Sequence, residues 1–217
     1  YQRECLEKLV AYRRAGGTRA LVAMATGTGK TIIFAQLPGL ARKRVLVLAH
    51  REELLDQAAE KIQRANPSVS VGIEQAGREA GLAQVVVASV PTLGRTGNRR
   101  RRFDPGDFSV VVVDEAHHTV ARTYIETLGH FGLCPDISDL KSSDLERKQV
   151  RTEVRARFAA FHPDAAAPFL VGFTATPHRS DGLGMGAVYD EIVFERSILS
   201  MIEAGYLCPV RGIRITT

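Results

Sequence analysis

Five short apolar runs, each four or five residues long, recur along this 217-residue chain and limit the folds that it can adopt. They occupy residues 21–24, 45–49, 85–88, 110–113 and 169–173. Runs this apolar are typical of strands that are buried on both faces of a parallel sheet. Residues 31–42 and 51–65 lie between runs and have helix-like patterns. The alternation of the two patterns predicts one α/β domain with helices on both faces of the sheet.

The composition excludes several classes of protein. No apolar run reaches the roughly 18 residues that a membrane-spanning helix needs. Three widely spaced cysteines form neither a disulfide framework nor a metal-ligand set, so we expect a reducing compartment. The formal net charge of +5 favours polyanionic partners without identifying one.

A glycine-containing turn follows the first apolar run, where ligands of such sheets bind. Gly27 and Gly29 let its backbone curl so that successive N–H groups face a phosphate. Lys30 would reach the β- and γ-phosphates of ATP, and the Thr31 hydroxyl would bind Mg²⁺. Met24 stands where the general P-loop pattern has its first glycine, which disfavours small kinases and GTPases. The predicted nucleotide-binding residues of this turn are Thr26, Gly27, Thr28, Gly29, Lys30 and Thr31.

Two adjacent carboxylates, Asp114 and Glu115, directly follow the run at 110–113. Asp114 is suited to help bind Mg²⁺. Glu115 suits the orientation and deprotonation of an attacking water, because phosphoryl transfer depends mainly on positioning and charge stabilisation. The sequence therefore predicts a catalytic group of Lys30, Asp114 and Glu115, with ATP and Mg²⁺ as cofactors.

These motifs, with further segments in the same order, resemble superfamily 2 helicases of the DEAH type over nearly the whole chain. The segments at 49–55, 177–182 and 202–209 are most similar to the branch of type III restriction motor subunits and DNA-repair helicases. The resemblance implies a RecA-like P-loop three-layer sandwich with a mainly parallel central sheet. It also implies an ATP-dependent helicase or translocase that is cytoplasmic or nucleoid-associated, with DNA favoured over RNA as its partner.

The same resemblance implies roles for residues outside the phosphate site. Gln2 corresponds to the glutamine that reads the adenine edge. The residues implied to contact the nucleic-acid backbone are His50, Arg51, Ser89 and Thr92. Those implied to couple the ATP site to the nucleic acid are His117, Thr174 and Thr176.

Two features depart from the family pattern. Residues 132–167 replace a shorter link, so we predict an insertion within one N-terminal RecA-like domain that covers residues 1–217. The chain stops before a second RecA-like domain and its arginine finger. We therefore expect the fragment alone to hydrolyse ATP poorly and the second domain of the full-length protein to be its partner.

Two other functions are compatible with a P-loop and an acidic pair. One is a nucleotide-dependent switch or scaffold without motor activity, and the other is a small-molecule kinase. The segments at 49–52 and 89–93 argue against both. The arginine run at 99–102 is interpreted either as a nucleic-acid or partner contact or as a solvated loop.

Overall fold

A computed structural model describes residues 1–94, 99–134, 167–176 and 185–209. Its strands are β1 (Arg19–Met24), β2 (Arg44–Ala49), β3 (Val71–Glu74), β4 (Val85–Ser89), β5 (Phe108–Asp114), β6 (Phe169–Thr174) and β7 (Glu191–Arg196). They form one sheet in the order β3-β4-β2-β5-β6-β1-β7, and every neighbouring pair is parallel. The predicted α/β class is confirmed.

Helices cover both faces of this sheet. They are α1 (Gln2–Arg14), α2 (Lys30–Phe34), α3 (Glu52–Ala65), α4 (Val90–Gly94), α5 (Arg122–His130) and α6 (Ile198–Glu203). Buried side chains of α1, α2 and α3 form one apolar cluster with the sheet, and those of α4 and α5 form another. The two clusters are the cores of a three-layer structure.

The alternation of side chains along each strand supplies both cores. In β2, Leu46 and Leu48 point to the layer of α4 and α5, whereas Val45 and Val47 point to the layer of α1, α2 and α3. Full burial of one such side chain stabilises the fold by about 1.5–3 kcal/mol. The central stretches of the five predicted strands are therefore apolar at consecutive positions, as the sequence pattern required.

The helix predicted at 31–42 is wrong in its length. The structure has the five-residue helix α2 and then a separate 3₁₀ turn, Leu37–Leu40. Pro38 lies in the first turn of that 3₁₀ segment, and a proline cannot supply the N–H that a continuous α-helix would need. The five predicted strands are confirmed within two residues at each end, while β3 and β7 were not predicted.

The insertion predicted at 132–167 lies mostly outside the described residues. Leu133 and Cys134 precede the undescribed part and are buried in the core. β6 begins two residues after description resumes at 167.

Gly172 in β6 has no room for a side chain. A Cβ atom there would lie 2.4 Å from Cζ of Tyr189, a ring that is 3% exposed. We expect Gly172→Ala to lower the free energy of unfolding by about 1–3 kcal/mol, since overpacked cores must shift side chains or backbone. The measurement is the urea midpoint.

Gly129→Ala is the matched control. A Cβ at Gly129, in α5, would meet its nearest atom at an ordinary 3.7 Å, and alanine favours helix over glycine. Its midpoint should stay unchanged or rise. Equal midpoints for the two variants would contradict the packing argument.

Candidate functional site

The loop between β1 and α2 has the backbone shape of an anion-binding turn. Gly27 and Gly29 have φ angles of 81° and 77°, a region that glycine adopts without steric strain. The Thr28 hydroxyl donates to the Ala25 carbonyl oxygen at 2.6 Å and braces the turn from inside. Thr26 and Gly27 are exposed, whereas Thr28 is buried. The outer side of the loop is thus open to a ligand.

Lys30 projects from this loop into a mostly buried position. Lys30 is 8% exposed, and its Nζ donates to the Met24 carbonyl oxygen at 3.3 Å. Thr31, the next residue, is half-buried. A buried ammonium that has only one weak protein acceptor keeps donors available for an anion.

Sheet order brings the acidic pair to the same edge as this loop. β5, β6 and β1 are neighbours, so their carboxyl ends lie side by side. Asp114 pairs in register with Phe173, and Thr174 pairs with Ala23. The Lys30 ammonium lies near enough to Asp114 to lower the pKa of that carboxyl. The two sequence motifs therefore meet in one site.

The carboxyl group of Asp114 has a raised pKa. Burial is the main cause, and the charge on Glu115 adds to it. The backbone N–H of Glu115, which donates to Oδ1 at 3.1 Å, and the charge on Lys30 partly offset the rise. A carboxylate that is short of positive charge in this way is a good position for a cation.

Glu115 has the one left-handed backbone among non-glycine residues in the described part of the chain, with φ 53°. Such a conformation is uncommon for glutamate and clusters at functional sites. It ends β5 and turns the side chain out of the strand direction. The His117 ring contacts the Glu115 carboxylate, with Nδ1 3.4 Å from Oε2.

His117 also contacts the end of β6. Its Nδ1 lies 3.3 Å from the Thr174 hydroxyl, and that hydroxyl accepts from the Thr176 backbone N–H at 3.1 Å. Thr174 is fully buried and Thr176 is exposed. The three residues predicted to couple the sites are therefore in one contact chain that reaches Glu115.

A stack of rings extends this series of contacts to His50, the residue that follows β2. His118 lies 4.1 Å from His117 and 5.2 Å from His50, centroid to centroid. The ring of His50 also stacks at 6.4 Å on Tyr124, whose pKa is raised by burial and then by the charges on Asp114 and Glu115. Sequence reasoning did not find Tyr124, because its spacing in α5 is that of an ordinary core residue.

The residues predicted to contact nucleic acid lie together but differ in access. β2 and β4 pair in register at Ala49 and Ser89, which brings His50 and Ser89 to one edge. His50 and Arg51 are exposed and Thr92 is half-buried. Ser89 is only 3% exposed, so its side chain is poorly placed for a direct contact.

Gln2 lies against the P-loop from the start of α1. Its Nε2 is 2.8 Å from the point where a Cβ on Gly29 would stand. Tyr1 donates its hydroxyl to the Thr28 carbonyl oxygen at 2.9 Å. The start of the chain therefore packs on the loop, and the role of Gln2 toward an adenine stays a prediction.

The arginine run at 99–102 is largely bound to the protein's own acids. Arg99 pairs with the buried Glu74 at 3.0 Å, and Arg102 pairs with Glu79 at 2.6 Å. Arg100 lies 3.6 Å from Glu126. Glu74 is the last residue of β3 and Glu79 lies in the segment after it, so the run serves mainly to hold this part of the chain.

Within the described residues, no cluster of three His, Cys, Asp or Glu side chains could hold a metal ion by itself. Any ion at Asp114 would need ligands from a bound molecule or water. A search of the same residues finds no helix of the length and hydropathy that crosses a bilayer.

Asp114→Asn should stabilise the domain in the absence of nucleotide and divalent cations. Because burial raises the folded-state pKa of Asp114, the wild-type fold carries a cost above that pKa, and the cost fades as pH falls through it. Asparagine removes the charge and can still accept from the Glu115 N–H. We expect a higher thermal midpoint at pH 7 and a smaller gain at acidic pH.

Asp56→Asn is the control for this substitution, since Asp56 is an exposed aspartate paired with Arg78 at 2.8 Å. Exposed pairs contribute about 0–1 kcal/mol, so its midpoint should not rise. A midpoint for Asp114→Asn at or below that of the wild type would refute the claim of a costly buried carboxylate.

Comparison with known proteins places this site in a family. Residues 1–179 match the family described as the type III restriction enzyme, res subunit. Saccharomyces cerevisiae IRC3, named as an ATP-dependent helicase, is 32% identical over 97% of this chain and 28% of its own length. This chain spans less than a third of the curated relatives IRC3 and its Schizosaccharomyces pombe counterpart.

Solved structures share the fold. The Pyrococcus furiosus Hef helicase domain has a TM-score of 0.58 at 22% identity, covering 96% of this chain and 41% of that one. The restriction-modification enzyme LlaGI, solved with a DNA substrate mimic, has a TM-score of 0.57 at 16% identity, covering 95% and 20%. The seven-stranded parallel sheet is thus the RecA-like fold of helicase domains, and the chain belongs to the family of the type III restriction enzyme res subunit.

Proposed function

We propose that this chain is the ATP-binding, N-terminal RecA-like domain of an ATP-dependent helicase or translocase that acts on nucleic acid. The observation that carries the proposal is the position of Asp114 and the curled glycine loop at the same sheet edge, with Lys30 near enough to lower the pKa of Asp114. The whole protein, with a second RecA-like domain, would work in the cytoplasm or on the nucleoid.

The loop would bind the phosphates of ATP. Backbone N–H groups of the curl would donate to phosphate oxygens. Lys30 would exchange its 3.3 Å bond to the Met24 carbonyl for the β- and γ-phosphates. Gln2, which touches the same loop, would read the adenine edge.

Thr31 and Asp114 would hold Mg²⁺ with the phosphates. The donor set fits, because a hydroxyl and a carboxylate are oxygen ligands and Mg²⁺ binds through few protein groups plus phosphates and water. Bound there, the ion would neutralise charge that develops on the phosphates. The raised pKa of Asp114 supports this role, since the carboxyl lacks a full positive partner of its own.

Glu115 would orient the water that attacks the γ-phosphate. Its left-handed backbone directs it away from β5, and His117 at 3.4 Å limits its rotation. A change at Glu115 would then be transmitted through the contacts that join His117, Thr174 and Thr176.

Nucleic acid would bind beyond the ends of β2 and β4. His50, Arg51 and Thr92 have exposed or half-exposed side chains there and would contact phosphates. Ser89, whose side chain is buried, would contribute through its backbone. We favour DNA because LlaGI, a restriction-modification enzyme that shares the fold, was solved with a DNA substrate mimic.

Lys30→Ala and Glu115→Gln should separate binding from chemistry in the full-length protein. Loss of Lys30 removes a positive donor to the phosphates, so nucleotide affinity should fall. Glu115→Gln should keep the affinity and slow hydrolysis about 100- to 10,000-fold, the usual effect of a lost general base. Calorimetric ATP binding and steady-state phosphate release measure the two effects. Full hydrolysis by Lys30→Ala would refute the phosphate assignment.

Nucleic acid should accelerate the ATPase of the full-length protein, more with DNA than with RNA, and less as salt rises. Arg51→Ala should weaken this stimulation. The control is Arg64→Ala, an exposed arginine near the other end of α3. The assay compares phosphate release with duplex DNA, single-stranded DNA and RNA. Tight ATP binding with no response to any of the three would instead favour a nucleotide-dependent switch or scaffold.

A further inference from the structure

Two side chains from opposite ends of the described chain meet beside the P-loop. The ring of Tyr206 lies 4.7 Å from that of Tyr1, edge to face at 72°. Tyr1 in turn donates to the Thr28 carbonyl oxygen at 2.9 Å. The ring of Tyr1 therefore connects Tyr206 to the loop, although Tyr1 and Tyr206 lie near opposite ends of the sequence.

The position of Tyr206 is fixed by the end of α6. Gly205 follows the helix with φ 76°, and the N–H groups of Tyr206 and Leu207 both donate to the Met201 carbonyl oxygen, at 2.9 and 3.1 Å. This is the hydrogen-bonded turn that commonly ends a helix at a left-handed glycine. Met201 itself is buried, so the turn and the ring that follows it are anchored to the domain.

An apolar surface remains open around the loop. Tyr206 is 58% exposed and Ile32 is 49% exposed. Cδ1 of Ile32 and Nε2 of Gln2 lie 3.5 and 2.8 Å from the same point, the place of a Cβ on Gly29. Two apolar surfaces and a primary amide thus flank the glycine turn on the side of α1 and α6.

We infer that Tyr206 forms the aromatic wall of the base-binding part of the ATP site, with Ile32 as a second apolar contact. The inference rests on the proposed function, because it takes the loop as the phosphate site. A purine has flat apolar faces and a polar edge. Aromatic rings contact such faces favourably whatever the base, while a glutamine amide can pair with N6 and N7 of adenine.

The occupant of this surface follows from what lies next to it. A nucleotide with its phosphates on the loop has its base within one nucleoside length of Gly29. Gln2 lies against Gly29, and Tyr1, which is bonded to Thr28, contacts the ring of Tyr206. The side chains that form this surface are an amide, two phenol rings and an aliphatic group, which suit a neutral base better than an ionic ligand.

The test compares ligands with and without a base. Calorimetry on the purified protein would give dissociation constants for Mg²⁺ complexes of ATP, GTP and inorganic triphosphate. Tyr206→Ala should weaken ATP and GTP alike, by roughly tenfold, as the loss of one base–aromatic contact does. Its affinity for triphosphate should not change. Tyr206→Phe should bind all three as the wild type does, and Ile32→Ala should weaken the two nucleotides selectively.

Leu82→Ala is the matched control. Leu82 is 94% exposed and precedes β4, which lies next to the edge strand β3 on the far side of the sheet from β7, so all three affinities should stay constant. Unchanged nucleotide affinity in Tyr206→Ala, or an equal loss for triphosphate, would overturn the inference; the first result would mean that another part of the protein covers the ring. Wild-type protein that fails to bind triphosphate would instead refute the proposed phosphate site.

Discussion

A half-buried carboxylate near a buried ammonium is the interaction on which the site depends. Asp114 and Lys30 reach one another because β5, β6 and β1 are parallel neighbours whose carboxyl ends share an edge. Burial raises the pKa of Asp114, and Lys30 donates to a backbone carbonyl at 3.3 Å. A fold that maximised its own stability would place apolar groups there. The arrangement makes sense when a magnesium nucleotide supplies the missing charges.

Strain and polarity are concentrated at this edge of the sheet. Below it, the strands are apolar on both faces and their side chains fill two cores. At the edge, Glu115 adopts a left-handed backbone and His117 contacts both Glu115 and Thr174. The well-packed layers below hold these contacts in place, since a poorly packed core would let the loop relax. Packing and site geometry are therefore two parts of one requirement.

Sequence reasoning went as far as local patterns allow. Apolar runs located five strands, and strand-end residues located the phosphate loop and the acidic pair. Local patterns did not predict the two edge strands. β7 has polar positions such as Glu191 and Glu195, and β3 has only four residues. These strands form because they pair with β4 and β1, and this pairing is not marked in the local pattern. Pro38 ended α2 early, a local sign that the helical pattern outweighed. The contact of Tyr206 with Tyr1 joins distant positions, so no spacing could predict it.

Residues from both ends of the described chain pack beside the phosphate loop. α1 packs on β7, where Arg196 pairs with Glu4 at 2.9 Å, and Tyr206 packs on Tyr1. β7 is an edge strand with one partner, β1, and edge elements open with less free energy than central strands. The base side of the loop is therefore supported by an edge of the sheet, while the phosphate side rests on strands nearer its centre. Nucleotide binding should consequently order the base side more than the phosphate side, because only the former has freedom left to lose.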